Sequence, residues 1–151
     1  MRSYLVVMDD TEETQAALRF AARRAARTGG GVEILALIPQ PEFVQWGGVQ
    51  AAMEEEARLR AEAMLVQASG AIAEEAGIKP SITVRQGDPV KALTELLKER
   101  DDISALVLAA AREGGPGPLV AHFAGAAASG LPCPLIIVPS ALTDEALARL
   151  T

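Results

Sequence analysis

Five short aliphatic runs, each parted from the next by a stretch long enough for a helix, constrain this chain more than any other feature. They lie at 4–8, 32–38, 81–85, 103–109 and 134–138. Most lack the polar–apolar alternation of a half-exposed strand, so they read as strands covered on both faces. Between them, Leu18, Ala21, Ala22 and Ala25 recur at helical spacing, as do Met53, Ala57, Ala61, Met64, Ala68 and Ile72, and then Val90, Leu93 and Leu97. Strands alternating with helices predict an α/β fold with a parallel sheet and right-handed crossovers.

The punctuation supports this division. Asp10 or Thr11 is placed to cap the first helix, and Gly29-Gly30-Gly31 stops it. Pro39 and Pro41 end the second strand, and a loop over 40–48 carries Phe43 and Trp46. A long helix is predicted over 49–76, with Glu54-Glu55-Glu56 on its solvated face and Gly77 at its end. Pro89 sits where a first-turn proline belongs. A small-residue helix is expected over about 119–129, and the tail at 142–150 reads as a terminal helix or a fraying end.

At 151 residues the chain fits one domain, on a prior of roughly 100–200 residues each. Apolar residues make up 50% but aromatics only 3%, so the core must be built from Ala, Val, Leu and Ile. The net charge of −6 opposes nucleic acid and anionic lipid as partners. Nothing reaches the ~18 apolar residues of a membrane span. The opening apolar run is too short for a signal peptide, and the lone Cys133 fits a reducing compartment. A cytoplasmic location is expected.

Chemistry-bearing residues are sparse. His122 is the only histidine and has no second ligand at metal spacing. It also has no Ser or Cys nucleophile to serve, and Cys133 between two prolines reads as a packed side chain. Neither a catalytic centre nor a metal site is expected. In an open α/β sheet a ligand sits beyond the carboxyl ends of the strands, where strand order reverses. The loop from Asp9 to Thr11 offers a carboxylate for a ribose hydroxyl, although Asp9 reads as readily as a helix cap. The loop after strand four, 109–118, offers backbone N–H groups that could hold an anion, and reads equally as a solvent loop.

Three segments carry a resemblance. Leu5-Val6-Val7-Met8-Asp9-Asp10-Thr11-Glu12 opens the chain, Val84-Arg85-Gln86-Gly87-Asp88-Pro89 precedes a helix, and Pro132-Cys133-Pro134 leads into the last aliphatic run. In this order and spacing the chain resembles the universal stress protein family over nearly its full length. The resemblance implies an open, Rossmann-like sheet of five parallel strands in the order 3-2-1-4-5, with helices on both faces. It also implies homodimers along the last strand, here Leu135, Ile136, Ile137 and Val138. One branch of the family binds ATP through G-x-x-G-x9-G-S/T from the end of strand four; the other lacks the pattern and does not bind it.

Here the four pattern positions fall on Ala109, Arg112, Ala121 and His122, with one residue fewer between the second and third. An alternative register reads Gly114, Gly117 and Gly125. The expectation is a non-enzymatic stress-response or regulatory homodimer without tight ATP binding. The alternative is an ATP- or AMP-binding member whose pocket draws on Asp9, Leu37 or Ile38, Ala109, Arg112, Gly114, Gly117 and His122. A third reading, a pure interaction module, expects an exposed edge along 135–138.

Overall fold

Leu5, Val6, Val7 and Met8 form the buried end of the first strand, β1 (Ser3–Met8), because the sheet is covered on both sides there. The computed structural model describes residues 2–9, 11–38 and 47–151. Along them follow α1 (Glu13–Thr28), β2 (Gly31–Ile38), α2 (Gly47–Ala76), β3 (Ser81–Gln86) and α3 (Pro89–Glu99). Then come β4 (Ile103–Ala109), α4 (Pro118–Phe123), a 3-10 turn (Ala128–Gly130), β5 (Leu135–Val138) and α5 (Asp144–Leu150). The strands form one all-parallel sheet in the order β3-β2-β1-β4-β5.

Side chains alternate across each strand, so β1 feeds two cores. Val6 and Met8 pack with Ile34 and Val107 beneath α1 and α2. Leu5 and Val7 pack with Leu35, Leu106 and Leu108 beneath α3 and α4. Helix α1 presents Ala17, Leu18, Ala21, Ala22 and Ala25 to the first core, and these small residues let the helix lie close to the sheet. Gly29, in the left-handed conformation, closes α1 with its N–H on the Ala25 carbonyl. Asp88 caps α3 by accepting from the Val90 N–H, with Pro89 at the first turn.

Four expectations need correction or placing. Thr11 does not cap α1: Glu12 occupies the cap position without a side-chain bond, while Thr11 is tied back to Asp9. Asp10, the other candidate, lies outside the described residues, as do Pro39, Pro41, Phe43 and Trp46. Helix α2 begins at Gly47, inside the stretch assigned to a loop. The helix expected over 119–129 is really α4, six residues ending at Phe123, then turns and the 3-10 segment. The turn that follows suits its sequence: a Cβ on Gly125 would stand 2.6 Å from the Ala121 carbonyl oxygen, a contact that only glycine permits.

Ion pairs lace the helical layer. Arg19 and Arg23 of α1 both hold Glu75 near the end of α2, and Arg19 also reaches Asp144 of α5. The tail is therefore an ordered helix, with Leu147 and Thr151 buried. Among the described residues no helix is long and apolar enough to cross a membrane.

Candidate functional site

The sheet order reverses between β1 and β4, and a cleft of about 540 Å³ opens beyond the carboxyl ends of those strands and β2. Asp9 follows β1, Leu37 and Ile38 end β2, and Ala109 ends β4; all four line it. Gly117 and Pro118, at the start of α4, form the opposite wall with Leu119. Among the described residues the cleft is mainly apolar, with two carboxylates (Asp9, Glu13) and two threonine hydroxyls (Thr11, Thr14) at one side.

The acidic side is built by a short turn. Asp9 Oδ1 accepts from the Thr11 N–H at 2.9 Å and from the Thr11 hydroxyl at 2.5 Å. The Thr14 hydroxyl then donates to the Thr11 carbonyl at 2.9 Å. Asp9 thus fixes the turn with one oxygen, and Oδ2 accepts no hydrogen bond among the described residues. Glu13, the first residue of α1, has its carboxyl held below the usual carboxylate range, chiefly by its own backbone N–H, with Thr11 and the backbone N–H and charge of Arg112 adding to the effect.

The other wall is the loop between β4 and α4. The Ala110 N–H donates to the Val138 carbonyl at 3.0 Å and the Ala111 N–H to the Pro116 carbonyl at 3.1 Å, so two donors of the loop are already engaged. Gly117 sits at φ 95° and ψ 160°, a conformation closed to side-chain-bearing residues, and this aims the chain into α4.

The structure therefore gathers Asp9, Leu37, Ile38, Ala109 and Gly117 around one cleft. Arg112 and Gly114 lie on the exposed part of the same loop, outside the lining. His122 is not brought there. It stacks edge-on against Phe123, ring centroids 4.8 Å apart, and faces a separate groove of about 640 Å³ with Lys98 and Arg100. Glu13, Thr14 and Leu119 join the cleft without having been singled out by sequence. A second cavity of about 440 Å³ shares Thr11 and Leu37 and opens toward Arg60 and Met64 of α2.

Among the described residues, no group of three or more His, Cys, Asp or Glu side chains could hold a metal ion. Cys133 is half-buried, and burial pushes its thiol up from its ordinary value, away from the reactive thiolate.

Comparison with known proteins gives a consistent picture. The universal stress protein family model matches residues 1–139. Universal stress protein UspA from Lactobacillus plantarum superposes with a TM-score of 0.78 at 17% identity, covering 91% of this chain and 97% of that one. A universal stress protein from Archaeoglobus fulgidus in complex with dAMP gives 0.61 at 20%, with 91% and 96% covered. A universal stress protein family protein from Arabidopsis thaliana with AMP bound gives 0.55 at 13%, with 92% of both chains covered. No curated protein matches. At these identities the solved structures speak for the fold.

Proposed function

The chain belongs to the universal stress protein family, and from that premise we propose a non-enzymatic, cytoplasmic regulatory protein of the stress response that does not hold ATP tightly. One observation carries the reading: among the described residues, the cleft is lined by the carboxylates of Asp9 and Glu13 and by no Lys, Arg or His. A like-charge pair at about 4 Å costs roughly 1 kcal/mol in bulk water and about 4 kcal/mol near a protein surface. A triphosphate would meet that repulsion on entry. Arg112 stands outside the lining, with its charge already acting on Glu13, and Arg60 lines the adjoining cavity rather than this one. The working unit is a homodimer joined along β5, a strand at the sheet's rim with Ile137 39% exposed and Leu135 and Ile136 half-buried.

The test is direct. Protein purified without added nucleotide is denatured and the supernatant read by mass spectrometry, beside a calorimetric ATP titration. An empty protein that ignores millimolar ATP is expected. Near-stoichiometric ATP, or micromolar binding, overturns the proposal.

A second reading has its own support. The cleft has room and apolar walls for a purine, and Asp9 Oδ2 is available to a ribose hydroxyl. Relatives of the same fold carry dAMP and AMP, each with one phosphate rather than three. A nucleoside monophosphate would meet less of the repulsion. AMP found in the denatured supernatant, without ATP, selects this reading.

A further inference from the structure

Helix α2 is 30 residues long and apolar on two opposite faces. A helix at the surface of a globular protein normally buries one stripe and leaves the other polar. The inward stripe here is Ala61, Leu65 and Ile72, all buried, flanked by Met64 and Ala68. Rotated half a turn away lie Ala52, Glu56, Leu59, Ala63, Val66, Gly70 and Ala73, every one exposed. Their spacing is 4-3-4-3-4-3, an unbroken heptad seam whose one charged member is Glu56. Val66 is 74% exposed and Leu59 54%, and nothing lies within 4 Å of a Cβ built on Gly70.

We propose that this seam is a self-association surface on which α2 of a second copy packs antiparallel, with Leu59 seated against Gly70 of the other copy. Size complementarity, together with the absence of like-charge contacts, selects both the occupant and the direction. In the antiparallel register centred between Ala63 and Val66, Leu59 faces glycine, Val66 faces alanine and Glu56 faces Ala73. Large residues meet small ones at every central layer. The flanking positions place Arg60 beside Gln67 and Glu62 beside Ser69, so no like charges oppose one another. An in-register parallel pair would instead set Glu56 against Glu56 and leave a void between facing Gly70 residues. The stripe is its own complement, as a two-fold interface requires.

This surface lies on α2, apart from the rim strand β5 proposed above as a dimer contact, so the two are tested separately by sedimentation velocity over a concentration series. Ile137→Lys disables pairing along β5. Ile137→Lys protein is expected to remain a concentration-dependent dimer, and adding Val66→Glu or Leu59→Glu is expected to weaken that dimer at least about tenfold. Both positions are exposed, and circular dichroism checks that each variant keeps its fold. Ile137→Lys protein that is monomeric at every concentration, or a dimer indifferent to both α2 variants, overturns the proposal. If β5 pairing itself is absent, Ile137→Lys leaves wild-type sedimentation unchanged while the α2 variants still act.

Direction is read by a spin label on Glu74→Cys in a Cys133→Ser background. At 1.5 Å of rise per residue the antiparallel pair sets the labelled backbones about 30 Å apart, whereas a parallel pair sets them at roughly the 10 Å interaxial distance. The short distance overturns the antiparallel arrangement.

Discussion

Arg100, just past α3, places Nη1 3.4 Å from Oε1 of Glu33 in the middle of the sheet, joining residues far apart in the chain. Glu33 is 2% exposed, and its Oε1 also accepts from the Thr83 hydroxyl at 2.5 Å, while its Oε2 is buried with no hydrogen-bond partner among the described residues. Arg100 meanwhile grips Asp102 through two bonds of 2.8 and 2.7 Å. Removing one partner of a buried pair leaves an uncompensated charge, which is costlier than never having had the pair. Arg100→Met is therefore expected to destabilise the protein by about 2–3 kcal/mol in urea unfolding at neutral pH, less than for a fully buried pair because Arg100 is partly exposed. Adding Glu33→Leu should recover most of that loss. A loss under about 0.5 kcal/mol for Arg100→Met would show the pair to be idle.

Asp9 is expected to matter to the turn before it matters to any ligand. Asp9→Ala removes the acceptor for the Thr11 N–H. The expected cost is about 1 kcal/mol, as for a lost helix cap, with Asp9→Asn costing less. Thermal unfolding of the three proteins checks the order. A fully stable Asp9→Ala protein would leave ligand contact as the reason for the residue.

Glu13 faces the cleft beside the loop that leads into α4. Neutralising it removes a lining carboxylate without changing shape. Glu13→Gln is expected to tighten AMP binding about tenfold at low ionic strength, with the gain shrinking as salt rises. Isothermal calorimetry at two salt concentrations reads both. Unchanged affinity at low salt would mean that the carboxylate does not oppose phosphate.

Glu75 supplies the pH dependence. Hydrogen bonds from Arg19, then Arg23, hold its carboxyl below its usual value. A depressed carboxyl adds stability that is complete above the unfolded pKa, about 4.3, and is lost as pH falls through the folded value. Wild-type stability is thus expected to drop on acidification below about pH 4.3 more steeply than that of Glu75→Gln. At pH 7 the variant should be less stable by about 1 kcal/mol. Parallel stability curves at all pH values would remove Glu75 from the acid response.

Gly125→Ala places a Cβ against the Ala121 carbonyl oxygen at 2.6 Å, and that neighbour is backbone and cannot swing aside. A loss of about 1–3 kcal/mol is expected. Ala124→Gly next door serves as the control for added flexibility, and equal losses in the two would deny the clash.

The strand pattern was legible because it is local. An uninterrupted run such as Leu5 to Met8 has few alternatives to a buried strand, and the glycines at 29–31 and the Asp88-Pro89 pair mark helix ends by their own backbone chemistry. Strand order was a different matter: nothing in the runs themselves ranks them, and the order came with the family resemblance. What escaped was non-local. Alanines over 124–128 favour a helix by propensity, yet α4 stops at Phe123 and the chain turns through Gly125, where the Ala121 carbonyl leaves no room for a Cβ. Glu33, a carboxylate within an aliphatic strand, meets its cation only across the fold, at Arg100. His122 was placed in the pocket by counting along a family pattern, but its side chain faces the groove against α3. Asp9, Ile38 and Ala109 converged because each ends a strand at the reversal point, which is a property of topology that a sequence can carry.

Cys133 gives this chain an internal stopwatch. Its thiol is half-buried just ahead of β5 and biased toward the unreactive protonated form. A soluble disulfide reagent added to the unaltered protein would consume it more slowly than a free thiol at the same pH, since the thiolate is the attacking species. Any partner that covers β5 and the thiol beside it would lengthen the half-life of that single reaction.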